Sequence, residues 1–396
     1  MAAPDLEASR RALNPLFNDN RIKLGVFALN VSSGCAITTA EGRLELTWPT
    51  VRAIARLADE AGFEAMVPVA RWLGFGGPSN FNGDSYETYT WAAGLAEATE
   101  HLAVFSTSHV PTIHPIVAAK QATTIDHIAG GRFALNVVCG WYTPELEMFG
   151  APIMEHETRY EYATEWLEVV KRLWTAEEPF DYEGRFFQIK RGTQQPKPIQ
   201  QPFPAVMNAG SSGTGRRFAA KYADMVFTGL GRDGNDLKAD VANYRRTAWD
   251  EFGRELQIWG HWSVICRPTE REARDYLRYY VYEKGDWEAA SNLIAINQVQ
   301  SGDGRWANRS PEELEAIKAR YIAGWGGATL AGTPEMIVDR LIELADAGID
   351  GVVLSWVNYE AELQEFAASV LPLVEQAGLR KPRPTALAGS TDAGTG

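Results

Sequence analysis

The sequence predicts an α/β fold, a (β/α)8 TIM barrel with a hairpin decoration and an insertion before the last strand. Three observations carry that expectation. Short runs rich in β-branched and aromatic residues alternate with longer stretches of helical spacing, the pattern of βα units around a parallel sheet. Eight such runs begin near Ile22, Glu64, Leu102, Arg132, Pro204, Met225, Gln257 and Gly351, and eight units close a barrel whose first and last strands are neighbours. The first βα turn reads NVSSGCAITTAEG, without the phosphate fingerprint that a doubly wound open sheet usually places there.

Composition narrows the class further. The chain of 396 residues is 45% hydrophobic and 22% charged, an ordinary globular balance with enough apolar material for a large core. Lys and Arg total 38 against 51 Asp and Glu, a formal charge of −13, so the phosphate attraction behind nucleic-acid binding would act in reverse. Cys35, Cys139 and Cys266 lie far apart and form neither a disulfide framework nor a zinc ribbon, which points to a reducing cytoplasm. The N-terminal MAAPDLEASRRALNPLFNDN is too polar for a signal peptide. No stretch approaches the roughly 18 apolar residues of a membrane span, so a soluble, cytoplasmic protein is expected.

Taken in order, residues 1–20 read as an N-terminal extension and 21–379 as one barrel domain. VRAIARLADEAGF and RRFAAKYA have the spacing of barrel helices. FDYEGRFFQIKRGTQQPKPIQQPFP reads as a hairpin around Glu183-Gly184 followed by a Pro-rich connector. The insertion, about 285–332, contains a helix start at Ser310-Pro311-Glu312-Glu313 and glycines at 324, 326 and 327. Two readings stand for it: a lid over the barrel mouth, or an inert subdomain or dimer arm. Residues 380–396, RKPRPTALAGSTDAGTG, read as a disordered tail.

In such a barrel the active site lies at the C-terminal strand ends. The runs deliver Asn30, Ala70, Arg71, Thr107, His109, Asn136 to Cys139, Ser211, Ser212, Thr228, Cys266 and Trp356 to Asn358 there. No carboxylate pair stands among them, which weighs against a glycosidase, and no metal-ligand cluster appears. The set suits an anionic, aromatic, redox-active ligand with a small molecule beside it. AGSSGTGRR, Ala209 to Arg217, follows a strand and opens a helix; its amides, Ser211, Ser212 and Arg216 or Arg217 form a phosphate seat, or else the segment is only a tight turn. Asn136 lies among apolar neighbours and needs partners that either a ligand or the barrel interior supplies. His109 at a strand end is a catalyst or a packed structural residue. Cys139 reads as a small buried hydrophobe, and His261 as structural. Trp141, Trp325 and Trp356 are placed to line the mouth.

Four segments, GRFALNVVCGWYTPELEMFG, EHETRYEYATEWLEVVKRLWT, QPKPIQQPFPAVMNAGSSGTGRRFAAKYADMVFTG and AGTPEMIVDRLIELADAGIDGVVLSW, together resemble the bacterial-luciferase-like flavin-dependent monooxygenases. The resemblance runs from about Ile22 to Leu373. Asn30-Val31-Ser32 and ATTIDHIAGGR are similar to the dimethyl sulfone monooxygenase subgroup, and LGFGG with Thr107 to the pyrimidine oxygenase subgroup. The resemblance implies a barrel that binds FMN reversibly, receives it already reduced (FMNH2) from a separate NAD(P)H:flavin reductase, and uses O2 as co-substrate. It implies flavin contacts at Ala70, Arg71, Asn136, Glu145, Arg159, Tyr160 and Ser212. Thr107 and Asn136 match residues that border an oxygen pocket, and Arg71 or His109 would steady negative charge. A homodimer or homotetramer and a small organosulfur or nitrogen-containing substrate, a cyclic amide or heteroaromatic ring, are implied as well. Cys139 stands where the family carries Thr or Ser, Ala70 replaces Ile, and the insertion does not align. Two alternatives use the same barrel: a deazaflavin-dependent oxidoreductase that transfers hydride, and a non-catalytic flavin-binding protein.

Overall fold

The computed structural model describes residues 6–210, 212–229, 236–301 and 309–383. Eleven strands occur among them: β1 (Lys23–Phe27), β2 (Ala65–Val67), β3 (Ala103–His109), β4 (Phe133–Val138), β5 (Phe180–Glu183), β6 (Gln188–Gly192), β7 (Ala205–Asn208), β8 (Met225–Phe227), β9 (Gln257–Cys266), β10 (Ala328–Gly332) and β11 (Gly351–Ser355). Eight of them, in the order β9-β11-β1-β2-β3-β4-β7-β8, close on themselves through β8–β9 pairing. Every pair in the ring is parallel. The eight expected runs are these eight strands.

Side-chain alternation divides each strand between two environments. Inward positions are small or flat enough to fill a narrow cylinder: Ala65, Ala103, Ala134 and Ala205 alternate with Phe105, Met207, Met225 and Trp259 in one buried cluster. Outward positions such as Leu24, Val104, Leu135, Val206, Ile258 and Val352 pack against the surrounding helices in a second. Gly25 is required by closure, since a Cβ there would lie 2.9 Å from Val353 Cγ1 and 3.0 Å from Ala65 Cβ.

The lower end of the barrel is plugged. In the N-terminal extension, the helix Leu6–Leu13 leads to a short turn, Pro15–Phe17, capped by Asn14. Leu16 is fully buried with the inward-facing residues, and Arg10 clamps the turn by pairing with Asp224 at 2.9 Å. The expected tail begins later than residue 380. Arg380 is buried and donates to the Gly62 carbonyl and Glu64, because the β1–β2 edge needs a cation for the Glu64 carboxylate. Residues 384–396 lie outside the described residues.

The expected hairpin is present as antiparallel β5–β6. Glu165 from the helix His156–Thr175 holds its tip by accepting from the Arg185, Phe186 and Phe187 amides. The insertion carries helices Trp287–Ser301 and Pro311–Gly324, the second with the Ser310/Glu313 capping box that the sequence announces. Its end was not legible: Ala328–Gly332 forms β10, which pairs in parallel with β9 from Trp262 to Cys266. Strand β9 therefore runs past the barrel rim, pairing with β8 from Gln257 to Trp259, with β11 from Trp259 to Ser263 and with β10 from Trp262 to Cys266. No helix of the described residues is long and apolar enough to cross a membrane.

Candidate active site

Three clusters of side chains gather at the C-terminal strand ends. The first centres on Arg71, in the loop after β2. Arg71 is buried, and its guanidinium donates to Glu145 Oε1 at 3.1 Å. The same oxygen accepts from the amides of Trp72 at 2.6 Å and Leu73 at 3.0 Å, so one carboxylate holds both the cation and the loop that bears it. Four rings surround the guanidinium, with Phe75, Tyr142, Trp141 and Trp325 centred 4.8, 5.2, 5.4 and 5.6 Å from its carbon. Burial lowers the Arg71 pKa, and Glu145 opposes the shift. Trp325 reaches this cage from the insertion on a left-handed residue, φ 52°, that follows the helix Pro311–Gly324. Phe75 and Phe81 also pack on Trp325, with ring centroids at 5.6 and 5.4 Å.

His109 Nδ1 lies 3.5 Å from the other Glu145 oxygen. Burial, and secondarily the Arg71 charge, push the imidazole down to about 3. A neutral imidazole would steady negative charge only as a hydrogen-bond donor, and His109 can equally act as an acceptor. Arg71 likewise has its charge committed to Glu145, and Glu145 is fully buried against it.

The second cluster spans β3, β4, β7 and the turn after it. Thr107 and Asn136 are register partners on β3 and β4, and Asn136 Nδ2 donates to Thr107 Oγ1 at 3.2 Å. Thr107 in turn donates to the Pro68 carbonyl at 2.6 Å. Asn136 Oδ1 is buried with no protein partner. Ala70 is buried in the same region of the rim. Beyond β7, Asn208 Oδ1 accepts from the Gly210 amide at 2.9 Å and bends the chain. Ser212 caps the helix Gly213–Tyr222 by accepting from Gly215 at 3.0 Å. A Cβ on Gly215 would lie 2.5 Å from Tyr160 Oη and 2.8 Å from Gly210 Cα, so only glycine permits this close approach. Arg159 donates to the Gly140 carbonyl at 2.9 Å, and its Nε is buried without a protein partner. Cys139 is half-buried beside Arg159, its thiol pushed up to about 12 by burial. Ser211 lies outside the described residues. Arg217 pairs with Glu251 at 3.1 Å and is turned from the seat; Arg216 lies over the Tyr244 ring at 4.7 Å.

The third cluster was missed. His261 Nε2 lies 2.7 Å from Ser355 Oγ, which lies 3.2 Å from Ser263 Oγ. A period of two along QIWGHWSVIC places Trp259, His261 and Ser263 on one face, and the inward Trp259 was the signal that His261 also turns inward. Gly324 and Gly327 close over these side chains, leaving no room for a Cβ. Two expected rim residues are absent from the mouth. Trp356 is buried against Tyr359 and Phe366 in the outer core, because β11 ends one residue earlier and the ring falls on its outward side. Cys266 lies on the β9 overhang, 4.0 Å from Ser369.

Residues 22–351 match the Luciferase-like monooxygenase family, a span covering most of the chain. The chain belongs to that family. It is 32% identical to an FMNH(2)-dependent dimethylsulfone monooxygenase of Pseudomonas putida, over 90% of this chain and 96% of the relative. It is 30% identical to the pyrimidine monooxygenase RutA of Enterobacter cloacae, over 89% and 96%. Among solved structures, the riboflavin lyase RcaE superposes with a TM-score of 0.80 at 21% identity, covering 91% of this chain and 93% of that one. DmoA from Hyphomicrobium sulfonivorans does so with 0.76 at 20%, covering 90% and 89%. These structural likenesses show the luciferase-like barrel, and the two subgroups expected from the motifs are those of the relatives.

Proposed function

We propose that this member of the luciferase-like family is a two-component monooxygenase that takes reduced FMN from a separate NAD(P)H:flavin reductase. With O2 it oxidises a small organosulfur or nitrogen-containing substrate. The observation that carries the reading is the cradle of the second cluster. There Gly210 and Gly215 leave no space for a Cβ, Ser212 caps the following helix, and Arg159 and Asn136 each keep a buried polar atom without a protein partner. These features fit FMN: a helix start and Arg159 suit its phosphate, and Asn136 Oδ1 suits a ring N–H. The names of the FMNH(2)-dependent relatives support the same cofactor.

Reduced FMN, when bound, supplies the electrons for O2 activation. The chain's own residues bind, orient and shield. Arg159, Tyr160 and Ser212 would hold the phosphate end, and Asn136, fixed by Thr107, the ring. Thr107 has its hydroxyl proton committed to Pro68, so it acts by placing Asn136. Neutral His109 would accept or donate a hydrogen bond beside Ala70. Phe75, Trp141 and Trp325 exclude water from the mouth, which protects a reactive oxygen species from solvent protons; this supports the lid reading of the 285–332 insertion.

The test supplies the chain with FMN, a flavin reductase, NADH and isotopically labelled O2, and screens small sulfur and nitrogen compounds. Substrate-dependent incorporation of one labelled oxygen atom is expected. Tight binding of a deazaflavin with no affinity for FMN would refute the proposal in favour of hydride transfer. FMN binding with no oxygen transfer to any compound would favour a carrier.

A further inference from the structure

The lower end of the barrel, opposite the candidate active site, carries a cavity of about 500 Å³, inside the usual range of ligand pockets, about 300 to 1,000 Å³. Its floor is made where strands begin: Asp224 precedes β8, Gln257 opens β9 and Asp350 precedes β11. Arg10 and Arg11 reach it from the helix Leu6–Leu13, and Arg245 and Trp249 from the helix Leu237–Phe252. The last two are four positions apart and so share one helix face. Among the described residues, the cavity shares none with the three clusters of the candidate active site.

Two observations separate this cavity from an ordinary surface cleft. The first is a set of cationic groups with donors to spare. Asp224 is shared by Arg10 at 2.9 Å and Arg254 at 3.5 Å. Arg245 spends only Nη2 on Asp350 and the Gly348 carbonyl, and Arg11 pairs with no carboxylate among the described residues. Arg10 is 9% exposed, yet its Nε is buried with no hydrogen-bond partner, and native interiors rarely leave a buried donor unpaired. The second is Trp249, which lines the cavity while 64% exposed, more than any other large apolar side chain among the described residues. An indole left in water beside a cavity offers a face for a flat ring to cover.

The balance of charge selects the ligand. Four guanidinium groups, those of Arg10, Arg11, Arg245 and Arg254, line the cavity with three carboxylates, those of Asp224, Glu255 and Asp350. One positive charge is left over in a chain whose formal charge is −13, so a monoanion is matched, whereas a polyanionic nucleotide would meet the three carboxylates. A guanidinium fork suits a planar carboxylate, which it can hold by two parallel hydrogen bonds.

We propose that this cavity binds an aromatic monocarboxylate, whose carboxylate is taken by Arg11 and the unused Nη1 of Arg245 and whose ring covers Trp249. Bound there, the ligand bridges the N-terminal helix to the barrel and tightens the plug that closes its lower end. No chemical step is involved, and the assignment is independent of the flavin reading.

The experiment uses the full chain with indole-3-acetate as probe, followed by calorimetry and ligand-observed NMR. Indole-3-acetamide is the uncharged control, and AMP and inorganic phosphate are the phosphate controls. Saturable one-to-one binding of the carboxylate is expected, more than tenfold tighter than that of any control and unchanged by saturating FMN. Hydrogen exchange of the Leu6–Leu13 amides should slow on saturation. Arg11→Gln should weaken binding about tenfold, the loss of a charge-assisted hydrogen bond, and Trp249→Ala about fivefold. Both side chains are exposed, and FMN titrations of both variants should match the parent. Absence of saturation at millimolar probe would overturn the proposal. So would competition by FMN, binding of any control within tenfold of the carboxylate, unchanged exchange in the N-terminal helix, or parental affinity in either variant.

Discussion

Replacing Glu145 with Leu should destabilise the protein through Arg71 more than through any contact of its own. The carboxylate oxygen at the centre of the first cluster accepts three hydrogen bonds, from Arg71 Nη1 and from the amides of Trp72 and Leu73. Leucine fills similar volume but supplies none of them. It leaves a guanidinium that is 3% exposed facing four aromatic rings and no anion. Removing one partner of a buried pair costs about 3–5 kcal/mol, because the surviving charge is uncompensated. At roughly 2.1 cal/mol/K of unfolding entropy per residue, a chain of 396 residues has about 0.8 kcal/mol/K, so the melting temperature should fall by about 4–6 °C. Scanning calorimetry at pH 7, with scan rate varied, measures it. The double variant Arg71→Met/Glu145→Leu removes the stranded charge and should recover at least about 1 kcal/mol of the loss, although the two amides remain unpaired. A single variant melting within about 1 °C of the parent, or a double variant no better than the single one, would refute the reasoning.

Three further outcomes are expected. His109 is held at about 3, below its ordinary 6.5, by burial. The unfolded chain therefore binds a proton that the folded chain refuses between those values, and stability is lost as pH falls from 6.5 toward 3, by up to about 1.4 kcal/mol per pH unit. Urea titrations of the parent and His109→Gln at pH 7, 5.5 and 4.5 should show a shallower decline in the variant, and parallel curves would contradict this. Gly215→Ala would drive a methyl group into Tyr160 and Gly210, and FMN affinity by fluorescence titration should drop at least about tenfold with far-UV dichroism unchanged. Burial raises the thiols of Cys35 and Cys139 to about 12 and that of Cys266 in the same direction, so an aromatic disulfide reagent at pH 8 should modify the three at appreciable rate only after denaturant is added.

The alternation of run and helix was enough to number the barrel strands, because a parallel strand buried on both faces must be apolar and short, and its period is local. Thr107, Asn136 and Ser212 were also legible as rim residues, since they lie in the last part of such runs or in the turn that follows one. The hairpin and the Ser310/Glu313 cap were readable for the same reason: a turn or a cap is decided by residues within four positions of one another.

What the sequence by itself determined about this luciferase-like barrel is thus its count of units, its rim and its family. Only the tertiary structure decided which rim side chains meet. Arg71 and Glu145 are 74 positions apart, and Trp325 arrives on their cage from an insertion whose helical period says nothing about where its end will dock. His261 and Ser355 touch across strands whose register appears only after closure. The β9 overhang that pairs with β10 and the neutrality of His109 depend on burial and charge summed over distant segments. Periodicity records local geometry, whereas desolvation and ion pairing are properties of the assembled volume, and that difference sets the boundary between the two.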